Sequence, residues 1–334
     1  MRVLLTGGAG YVGSHTALVL LEAGLEVIVL DDFSNSNIRA IRCIEDLVGR
    51  SIQVVAADLA DRASLAKLDD IDFDAAIHFA GLKAVGESVV DPDRYYRVNL
   101  NATLNLLEAM RSHDATKLVF SSSATVYGEP QYLPQDEAHP VGTRLASPYA
   151  RSKLMSEHII QDAQAAWPDL SAVVLRYFNP VGAHPSGYIG ENPSGTPGNL
   201  MPYIAQVAIG RRDFLRVYGD DYPTLDGTGI RDYIHIMDLA EGHLAALRLN
   251  CGGVATYNLG TGIGASVLQV LRSFERASHR RIPWQVYPRR PGDVPEMVAN
   301  PAQAKADLRW DPSRSLMDAC RDTWAWQSTP PDGF

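Results

Sequence analysis

The first 180 residues alternate short β-branched apolar runs with longer segments of helical spacing, and no other feature restricts the fold as strongly. Runs such as residues 27–30 are apolar throughout, as expected for a parallel strand that helices cover on both faces. The predicted strands are Arg2–Thr6, Glu26–Asp31, Ile52–Ala56, Ala75–Phe79, Lys117–Ser122 and Ala172–Tyr177, and the predicted helices are Tyr11–Ala23, Asp93–Ser112 and Tyr149–Ala165. We therefore predict an α/β fold with a doubly wound parallel sheet.

The pattern changes after Asn179. Residues 180–232 are rich in Gly, Pro, Asn and Asp and contain one helical stretch, Met201–Ile209, and residues 233–320 return to mixed α/β patterning. A chain of 334 residues holds about two domains. We expect a first domain over residues 1–179, a smaller mixed α/β substrate-binding part over residues 180–328 that interleaves with it, and a flexible tail over residues 329–334.

Composition argues against several classes of protein. Apolar residues make up 46% and charged residues 21% of the chain, which is ordinary globular usage, and the formal charge of −9 argues against a nucleic-acid partner. The longest apolar run is Ala17–Leu21 and Gly7 lies close to the N-terminus, so we predict no membrane span and no signal peptide, and we expect a cytoplasmic protein. The cysteines are far apart in the sequence, which argues against a disulfide framework. The histidines have no carboxylates at metal-ligand spacing, which argues against a metal site.

A glycine-rich turn follows the first predicted strand. Gly7, Gly10 and Gly13 form GxxGxxG, a variant of the dinucleotide-binding pattern in which glycine permits a tight turn and lets backbone N–H groups approach a pyrophosphate. These glycines would also fit an ordinary strand–helix turn. However, Asp31 ends the second strand eighteen residues after Gly13, where a carboxylate accepts bonds from the adenosine ribose and repels a 2′-phosphate. The sequence thus predicts a Rossmann-type domain that binds NAD rather than NADP.

A tyrosine and a lysine lie four residues apart at the start of the third predicted helix. Ser147 and Pro148 suit the N-cap and the first helical position, so Tyr149 and Lys153 share one face, one turn apart. A phenol with a pKa of about 10 is a poor base at neutral pH, and a fixed ammonium nearby would lower that pKa. Alone, the pair would also fit a solvated helix face. Ser123, which follows the fifth predicted strand, and the glycine turn favour a catalytic site.

Eight stretches of sequence, in one order from residue 1 to about residue 325, resemble a known family. They are TGGAGYVGSH, HFAGLKAVGES, FSSSATVYG, SPYARSK, RYFNPVGAHPSG, NLMPYIAQVA, DGTGIRDYIH and YNLGTG. On these motifs the chain resembles the UDP-glucose 4-epimerases, which belong to the extended short-chain dehydrogenase/reductase family. The glycine turn and the Tyr-x-x-x-Lys pair mark only the superfamily, whereas the blocks at residues 176–187 and 199–231 are much more specific.

This resemblance implies an isomerase that interconverts UDP-galactose and UDP-glucose at C4 through a transient 4-keto sugar and a tightly bound NAD. Tyr149 would take the O4 proton and return it, Ser123 would hydrogen-bond O4, and Lys153 would hold the nicotinamide ribose and lower the tyrosine pKa. The resemblance also implies a homodimer, joined by a four-helix bundle from helices near Asn99–Met110 and Tyr149–Asp162.

The resemblance further assigns binding residues. Those expected at NAD are Gly7, Gly10, Tyr11, Val12, Gly13, Asp31, Asp32, Phe33, Ser34, Asn35, Ser36, Asp58, Leu59, Phe79, Ala80, Gly81, Leu82, Lys83, Asn99, Ser123, Tyr149, Lys153, Tyr177 and Phe178. Those expected at the UDP-hexose are Lys83, Ser123, Tyr149, Tyr177, Asn179, Asn199, Leu200, Val217, Tyr218, Arg231, Tyr233, Arg290, Asp293 and Met297. Within the second set, Arg231 and Arg290 would bind the diphosphate, and Asp293 the uridine ribose.

Several assignments have simpler alternatives. Phe79 and Phe178 would also suit core aromatics, Asn99 an inner polar residue, and Arg290 half of a solvated basic pair. We predict that two histidines, His78 and His235, are hydrogen-bonded structural residues.

Four other functions are possible for a chain with these motifs. A nucleotide-sugar 4,6-dehydratase needs carboxylates beside the strand-end serine, where this chain has Ala124 and Thr125. A decarboxylase of the same superfamily is another near rival. A redox sensor usually lacks the tyrosine or the lysine, and a net-oxidising dehydrogenase would release NADH.

The resemblance also suggests what limits the sugar. Met297 stands where relatives carry a tyrosine or a smaller residue, beside the C2 substituent. Because methionine is of intermediate bulk and flexible, we expect weak activity on UDP-N-acetylgalactosamine. The simpler alternative is that Met297 is a core methionine facing away from the sugar.

Overall fold

A seven-stranded sheet in which all neighbouring strands are parallel forms the centre of the protein, with the strand order β10-β6-β5-β4-β1-β2-β3. The structure is a computed structural model that describes residues 1–193, 195–290 and 292–329. The strands of this sheet are β1 (Arg2–Thr6), β2 (Glu26–Asp31), β3 (Gln53–Ala56), β4 (Ala75–His78), β5 (Lys117–Ser123), β6 (Ser171–Tyr177) and β10 (Val254–Leu259). This architecture confirms the predicted doubly wound α/β fold.

Helices cover both faces of this sheet, and the strand alternation determines which side chains each face buries. Val3 and Leu5 of β1 pack in one buried cluster with residues of the helices on one face, while Leu4 packs in a second cluster on the other face. The helices are α1 (Tyr11–Glu22), α2 (Ile38–Val48), α3 (Val85–Val90), α4 (Pro92–Ser112), α5 (Pro148–Ala166) and α7 (Ile236–Arg248). Leu18 of α1 and Leu239 of α7 lie in the first cluster, and residues of α4 and α5 in the second.

The remaining elements form a smaller region with its own core, in which Ile204, Phe274 and Cys320 are fully buried. Its strands are β7 (Asn179–Val181), β8 (Leu215–Tyr218), β9 (Ile230–His235), β11 (Gly264–Ser266), β12 (Trp284–Tyr287) and β13 (Glu296–Met297). Its helices are α6 (Leu200–Ala208), α8 (Val267–Ser278), α9 (Ala302–Leu308) and α10 (Leu316–Ser328). Strand β9 pairs with β7, β11 and β13, and β8 pairs with β12.

The two regions are interleaved along the chain. Strand β10 and helix α7 come from the second half of the sequence, yet β10 is an edge strand of the seven-stranded sheet and α7 packs against α1. The domain limits at residues 179 and 328 stay predictions, and residues 330–334 of the predicted tail lie outside the described residues.

The predicted bounds of the first-domain strands and helices differ from the observed ones by at most one residue. Strand β3 begins at Gln53 rather than Ile52, β4 ends at His78 rather than Phe79, and α5 begins at Pro148. Within the residues that the structure describes, no helix is both long and apolar enough to cross a bilayer, and no three potential metal-ligating side chains come together.

Candidate active site

The segments that follow the strands of the central sheet all emerge at its carboxyl edge, because those strands are parallel. They include the glycine turn after β1, residues 31–36 after β2, residues 58–59 after β3, residues 79–83 after β4 and Ser123 at the end of β5. The topology therefore brings the residues predicted to bind a dinucleotide to one edge of the sheet.

The glycine turn is shaped by close approaches that only glycine permits. Gly7 has a φ of +69°, and a Cβ there would lie 2.7 Å from the backbone N of Ala80. A Cβ on Gly13 would overlap the carbonyl oxygen of Gly7. Gly10 is the N-cap of α1 and leaves the first turn without a side-chain cap. The first-turn N–H groups and the positive end of the helix are suited to an anion such as a pyrophosphate.

Asp31 ties the glycine turn to the segment after β2. Its Oδ2 accepts from the backbone N–H of Ala9 at 2.9 Å, and its Oδ1 accepts from Phe33 N at 2.9 Å and from the Ser36 hydroxyl at 2.7 Å. The side chain is buried at the end of β2. Oδ1 of the neighbouring Asp32 accepts from the backbone N–H of Ser34 at 2.9 Å. Ser34 and Asn35 are exposed. The carboxylate therefore lies where the sequence predicted it, next to the turn.

Two further loops at this edge are held by buried amides. Asn99 of α4 accepts from Leu82 N at 2.8 Å, donates to Leu82 O at 3.1 Å and donates to the Ser152 hydroxyl at 2.9 Å. Asn105 donates to the carbonyl of Leu59 at 2.8 Å, and Asp58 beside it is exposed. The Asn99 side chain thus fixes the loop after β4 as a buried polar residue. Its contact with the cofactor stays a prediction.

The predicted base and its partners converge where β5 ends and α5 begins. Ser147 caps α5 by accepting from Ala150 N at 3.2 Å, which fixes Tyr149 in the first turn. Burial raises the pKa of Tyr149, and a hydrogen bond with Ser123 opposes that rise. Lys153 donates to the carbonyl of Ser121 at 2.7 Å, and burial lowers the Lys153 pKa to about 8. The predicted lowering of the tyrosine pKa by Lys153 stays a prediction, because the opposing group here is Ser123.

A chain of buried polar groups lies beneath this convergence, between α5 and the sheet. Arg176 of β6 donates through Nη2 to Oε2 of Glu157 at 2.7 Å and through Nε to Oε1 at 3.2 Å, and the Ser122 hydroxyl donates to the same Oε1. Arg176 also donates to the Tyr127 hydroxyl at 3.2 Å, which in turn donates to Oδ1 of Asn258 at 2.6 Å. These groups connect α5, β5, β6 and β10.

On the opposite face of the sheet, His243 of α7 bonds the residue at the end of β6. Nδ1 of His243 lies 2.8 Å from the carbonyl of Leu239, and burial lowers the His243 pKa to about 4, so the neutral ring carries its proton on Nδ1. Its Nε2 therefore accepts a hydrogen bond from the Tyr177 hydroxyl. The Phe79 ring packs on His243 at 4.9 Å between ring centroids. Tyr177 is buried with its hydroxyl bound to His243 of α7, so its predicted contacts with the cofactor and the sugar stay predictions.

The predicted diphosphate end is more open. Nη2 of Arg231 lies 3.5 Å from Oδ1 of Asp293, whose side chain is 38% exposed. The Arg290 guanidinium stacks 4.1 Å from the centroid of the Tyr218 ring. Arg289 differs from its neighbour, since it bonds Asp221 at 2.7 Å and carries no predicted role. Both arginines are exposed, and each stacks on a tyrosine ring, Arg289 on Tyr222 and Arg290 on Tyr218, so the role of Arg290 at the diphosphate stays a prediction.

Residues from both regions meet at Glu191. Its Oε1 accepts from Asn199 Nδ2 at 3.0 Å and lies 3.5 Å from Lys83 Nζ. Tyr11, the first residue of α1, donates to the carbonyl of Gly182 at 2.7 Å in the same region. The predicted ligands Tyr11, Lys83 and Asn199 thus lie at the junction of the two regions.

Two predicted substrate residues are mostly buried. Val217 is 1% exposed and its side chain packs in the core of the smaller region, so only its main chain can face the site. Tyr233 is 8% exposed, and burial raises its pKa to about 12. Asn179 pairs with Tyr233 in register between β7 and β9, and Leu200 begins α6.

Met297 lies close to the predicted reacting centre. It is part-buried and packs against the cluster that includes Ala124 and Phe178, and in register it pairs with Arg231. Ala124 directly follows Ser123, so Met297 stands near the end of β5 rather than in the main core. Phe178 is itself a buried member of this cluster, as its simpler interpretation predicted.

The two structural histidines are confirmed. Nδ1 of His78 bonds the Thr6 hydroxyl at 2.7 Å, and His235 caps α7 at Met237 N while its Nε2 lies 3.2 Å from Asp322. The sequence interpretation missed Glu157, Arg176 and His243, although a signal existed. Glu157 continues the four-residue spacing of Tyr149 and Lys153, and Arg176 is a charge inside an otherwise apolar strand.

The chain is similar to known proteins over almost its whole length. The chain matches the family model described as GDP-mannose 4,6 dehydratase over residues 4–323. It is 55% identical to the UDP-glucose 4-epimerase of Mus musculus, over 100% of this chain and 98% of that protein. It is 50% identical to the UDP-glucose 4-epimerase of Bacillus subtilis, over 100% and 99% of the two chains. It also resembles the crystal structure of UDP-glucose 4-epimerase from Bifidobacterium longum in complex with NAD+ and UDP, with a TM-score of 0.97, 46% identity and full coverage of both chains.

Proposed function

The chain belongs to the UDP-glucose 4-epimerases of the extended short-chain dehydrogenase/reductase family, and we infer that it interconverts UDP-galactose and UDP-glucose by inverting C4 of the hexose. One observation carries this proposal beyond the similarity. Tyr149 in the first turn of α5 and Ser123 at the end of β5 lie together at the carboxyl edge of the sheet, with Lys153 one helical turn away and the glycine turn at the end of β1, two strands over from β5.

The residues at the sheet edge fit NAD. The glycine turn offers uncapped N–H groups for the pyrophosphate, and the Asp31 carboxylate beside it suits ribose hydroxyls and opposes a 2′-phosphate. Lys153 and the loop at residues 79–83 would hold the nicotinamide half. When bound, NAD supplies a reversible acceptor for the hydride at C4 of the sugar.

The chain's own residues manage the proton at O4. Tyr149 accepts it as the sugar is oxidised and returns it when the other face is reduced. Ser123 hydrogen-bonds both the phenol and O4, and so keeps the two oxygens in line. Lys153 supplies a positive charge that favours the phenolate form of Tyr149.

The UDP group would lie across the junction of the two regions. Arg231 and Arg290 suit the diphosphate because charge-assisted bonds from guanidinium groups are strong and directional. Asp293 would accept from the uridine ribose, and Tyr218, on which Arg290 stacks, would face the uracil.

Dehydration is the second candidate, because the matched family model carries a dehydratase description. A 4,6-dehydratase must also remove the C5 proton and expel the C6 hydroxyl. Ala124 is 2% exposed and apolar, and the Thr125 hydroxyl donates to Ser123 at 3.0 Å. Neither side chain can act as an acid or base there, so epimerisation is favoured.

We also propose that the protein is a homodimer. Helices α4 and α5 pack side by side, and each carries a half-exposed apolar side chain, Leu104 at 49% and Met155 at 42% exposure. A second copy would cover these residues as a four-helix bundle. Sedimentation of wild type should give twice the chain mass, and Leu104→Glu with Met155→Glu should give one chain mass.

One assay tests the main proposal. Purified protein is incubated with UDP-galactose and no added cofactor, and UDP-glucose is measured with a coupled dehydrogenase. We expect UDP-glucose without accumulation of free NADH, and denatured protein should release a nucleotide with the mass of NAD. Free NADH at the rate of turnover would indicate a net-oxidising dehydrogenase, and release of NADP would contradict the role of Asp31.

Cytoplasmic location stays a prediction.

A further inference from the structure

We infer that Glu157 is a positioning residue for the proposed epimerisation. Through its ion pair with Arg176, it aligns the strand ends that carry Ser123 and Tyr177 with the helix that carries Tyr149 and Lys153, and it places a negative charge on the same helix face as Lys153. This inference rests on the proposed function, but none of the sequence motifs assigned a role to Glu157 or Arg176.

The strand register gives the first argument. Ser122 of β5 and Arg176 of β6 are direct partners, and the next pair in register is Ser123 with Tyr177. Since Glu157 accepts from both Ser122 and Arg176, one carboxylate fixes both strands at the residue before a site residue. A shift of either strand would break a buried charged bond.

The helix gives the second argument. Tyr149, Lys153 and Glu157 are spaced by four residues and so stand one above another on one face of α5. This face is joined to β5 at two consecutive residues, by Lys153 at the carbonyl of Ser121 and by Glu157 at the hydroxyl of Ser122. These two bonds fix the position of α5 along β5, and so the position of Tyr149 relative to Ser123.

Stability alone does not account for the pair. Glu157 and Arg176 are 2% and 6% exposed, so both charges have lost most of their hydration. Apolar residues of similar volume often replace such a pair with no loss of stability, or with a gain. What apolar residues would lack is the directional hold on both strands and the negative charge near Lys153.

The Glu157 carboxylate raises the pKa of Lys153. Burial lowers the Lys153 pKa, and the Glu157 carboxylate opposes this decrease. Other titratable and charged groups around the ammonium come from α5, β4 and β6: Tyr149, His78, Arg176 and Tyr177. Burial keeps His78 neutral by lowering its pKa to about 3, and burial raises the pKa of Tyr149 and of Tyr177. Glu157 is therefore the negative charge among these groups.

The experiment is the pH dependence of kcat/KM for UDP-galactose in the Glu157→Gln variant, with NAD bound as purified. We expect the alkaline limb to move to lower pH by about one unit, because Lys153 loses its proton more easily. We also expect kcat to fall by at least about tenfold, with KM within about threefold of wild type.

Asp238→Asn is the matched control. Asp238 is also fully buried and pairs with an arginine, Arg314, but it lies on α7 away from Lys153. Both variants should unfold at lower temperature than wild type, whereas only Glu157→Gln should shift the pH profile. A folded Glu157→Gln variant with an unchanged profile and kcat, or a profile no different from that of Asp238→Asn, would overturn the inference.

A second variant covers failure of the first to fold. Glu157→Gln combined with Arg176→Met removes the buried guanidinium together with its partner carboxylate, so it should fold. The alkaline limb should still move to lower pH, and an unmoved limb would again reject the inference. Wild type is assayed first, so absence of epimerisation there rejects the proposed function and not the role of Glu157.

Discussion

The two ends of the site are built differently. At the end predicted to hold the nicotinamide, Lys153, Glu157, Arg176, Tyr177 and His243 are all less than 9% exposed and bond one another or the backbone. At the end predicted to hold the diphosphate, the side chains are part-exposed and their ion pairs are long or open to solvent. Solvent weakens such charges, whereas buried groups keep a fixed geometry.

This difference separates chemistry from binding. A fixed set of buried groups around the part-buried Tyr149 and Ser123 suits a step in which a proton moves between two oxygens within hydrogen-bond distance. An open arrangement of arginines suits a flexible diphosphate that must enter and leave. Substitutions at the first end should therefore act on kcat, and substitutions at the second on KM.

The largest effect is expected from Tyr149→Phe. This change removes the proton acceptor and keeps the ring, so kcat should fall by about 10²–10⁴-fold or more while the KM for UDP-galactose changes little. Tyr257→Phe, which removes a hydroxyl bound to Asp307 away from the site, is the control and should retain activity. Steady-state kinetics measure both, and near-normal turnover of Tyr149→Phe would refute its role as the base.

Lys153→Met should slow turnover and also change its pH dependence. Loss of the ammonium removes a charge that favours the phenolate, so the pKa of Tyr149 should rise and the acid limb should move to higher pH by about one unit. The measurement is kcat/KM for UDP-galactose from about pH 5 to 10. If only the rate falls and the limb stays, Lys153 acts by holding the ribose alone.

Arg290→Met tests the open end. Loss of a charged bond to the diphosphate should raise the KM for UDP-galactose about 10–100-fold, with kcat within about twofold. Its neighbour offers a matched control. Arg289→Met removes the same charge beside it, but that arginine bonds the exposed Asp221, so KM should change less than about threefold. Equal effects of the two substitutions would mean that only the net charge of this surface matters.

The smallest effect concerns Met297, which lies near the end of β5 between the two ends of the site. A smaller side chain should leave room for an N-acetyl group, so Met297→Cys should raise kcat/KM for UDP-N-acetylgalactosamine relative to UDP-galactose about tenfold. Measuring both substrates before and after the substitution decides the matter. If the ratio is unchanged, this methionine does not limit the sugar.

Sequence reasoning succeeded where a short segment determines its own structure. The glycine turn, Asp31 and the Tyr149–Lys153 pair depend on spacing within one strand or one helical turn. The first-domain strands are continuous apolar runs and were located to within one residue.

The rest depends on pairing between distant segments. Strands β8 and β12 are only four residues long, and no periodicity in such runs specifies that they pair or that Val217 faces the core. Glu157 shares the four-residue spacing of Tyr149 and Lys153, but its bonds to Ser122 and Arg176 could be assigned only once the register of β5 with β6 was known.

The position of β10 beside β6 has a consequence for biosynthesis. A nascent chain that has emerged only as far as residue 179 lacks β10, so the backbone of β6 remains an open edge, and without α7 the apolar face of α1 lacks its cover. The nucleotide-binding half must therefore wait for about 80 further residues before it can close. We expect a fragment that ends at residue 179 to aggregate, whereas one that ends after α7 and β10 should remain in solution longer.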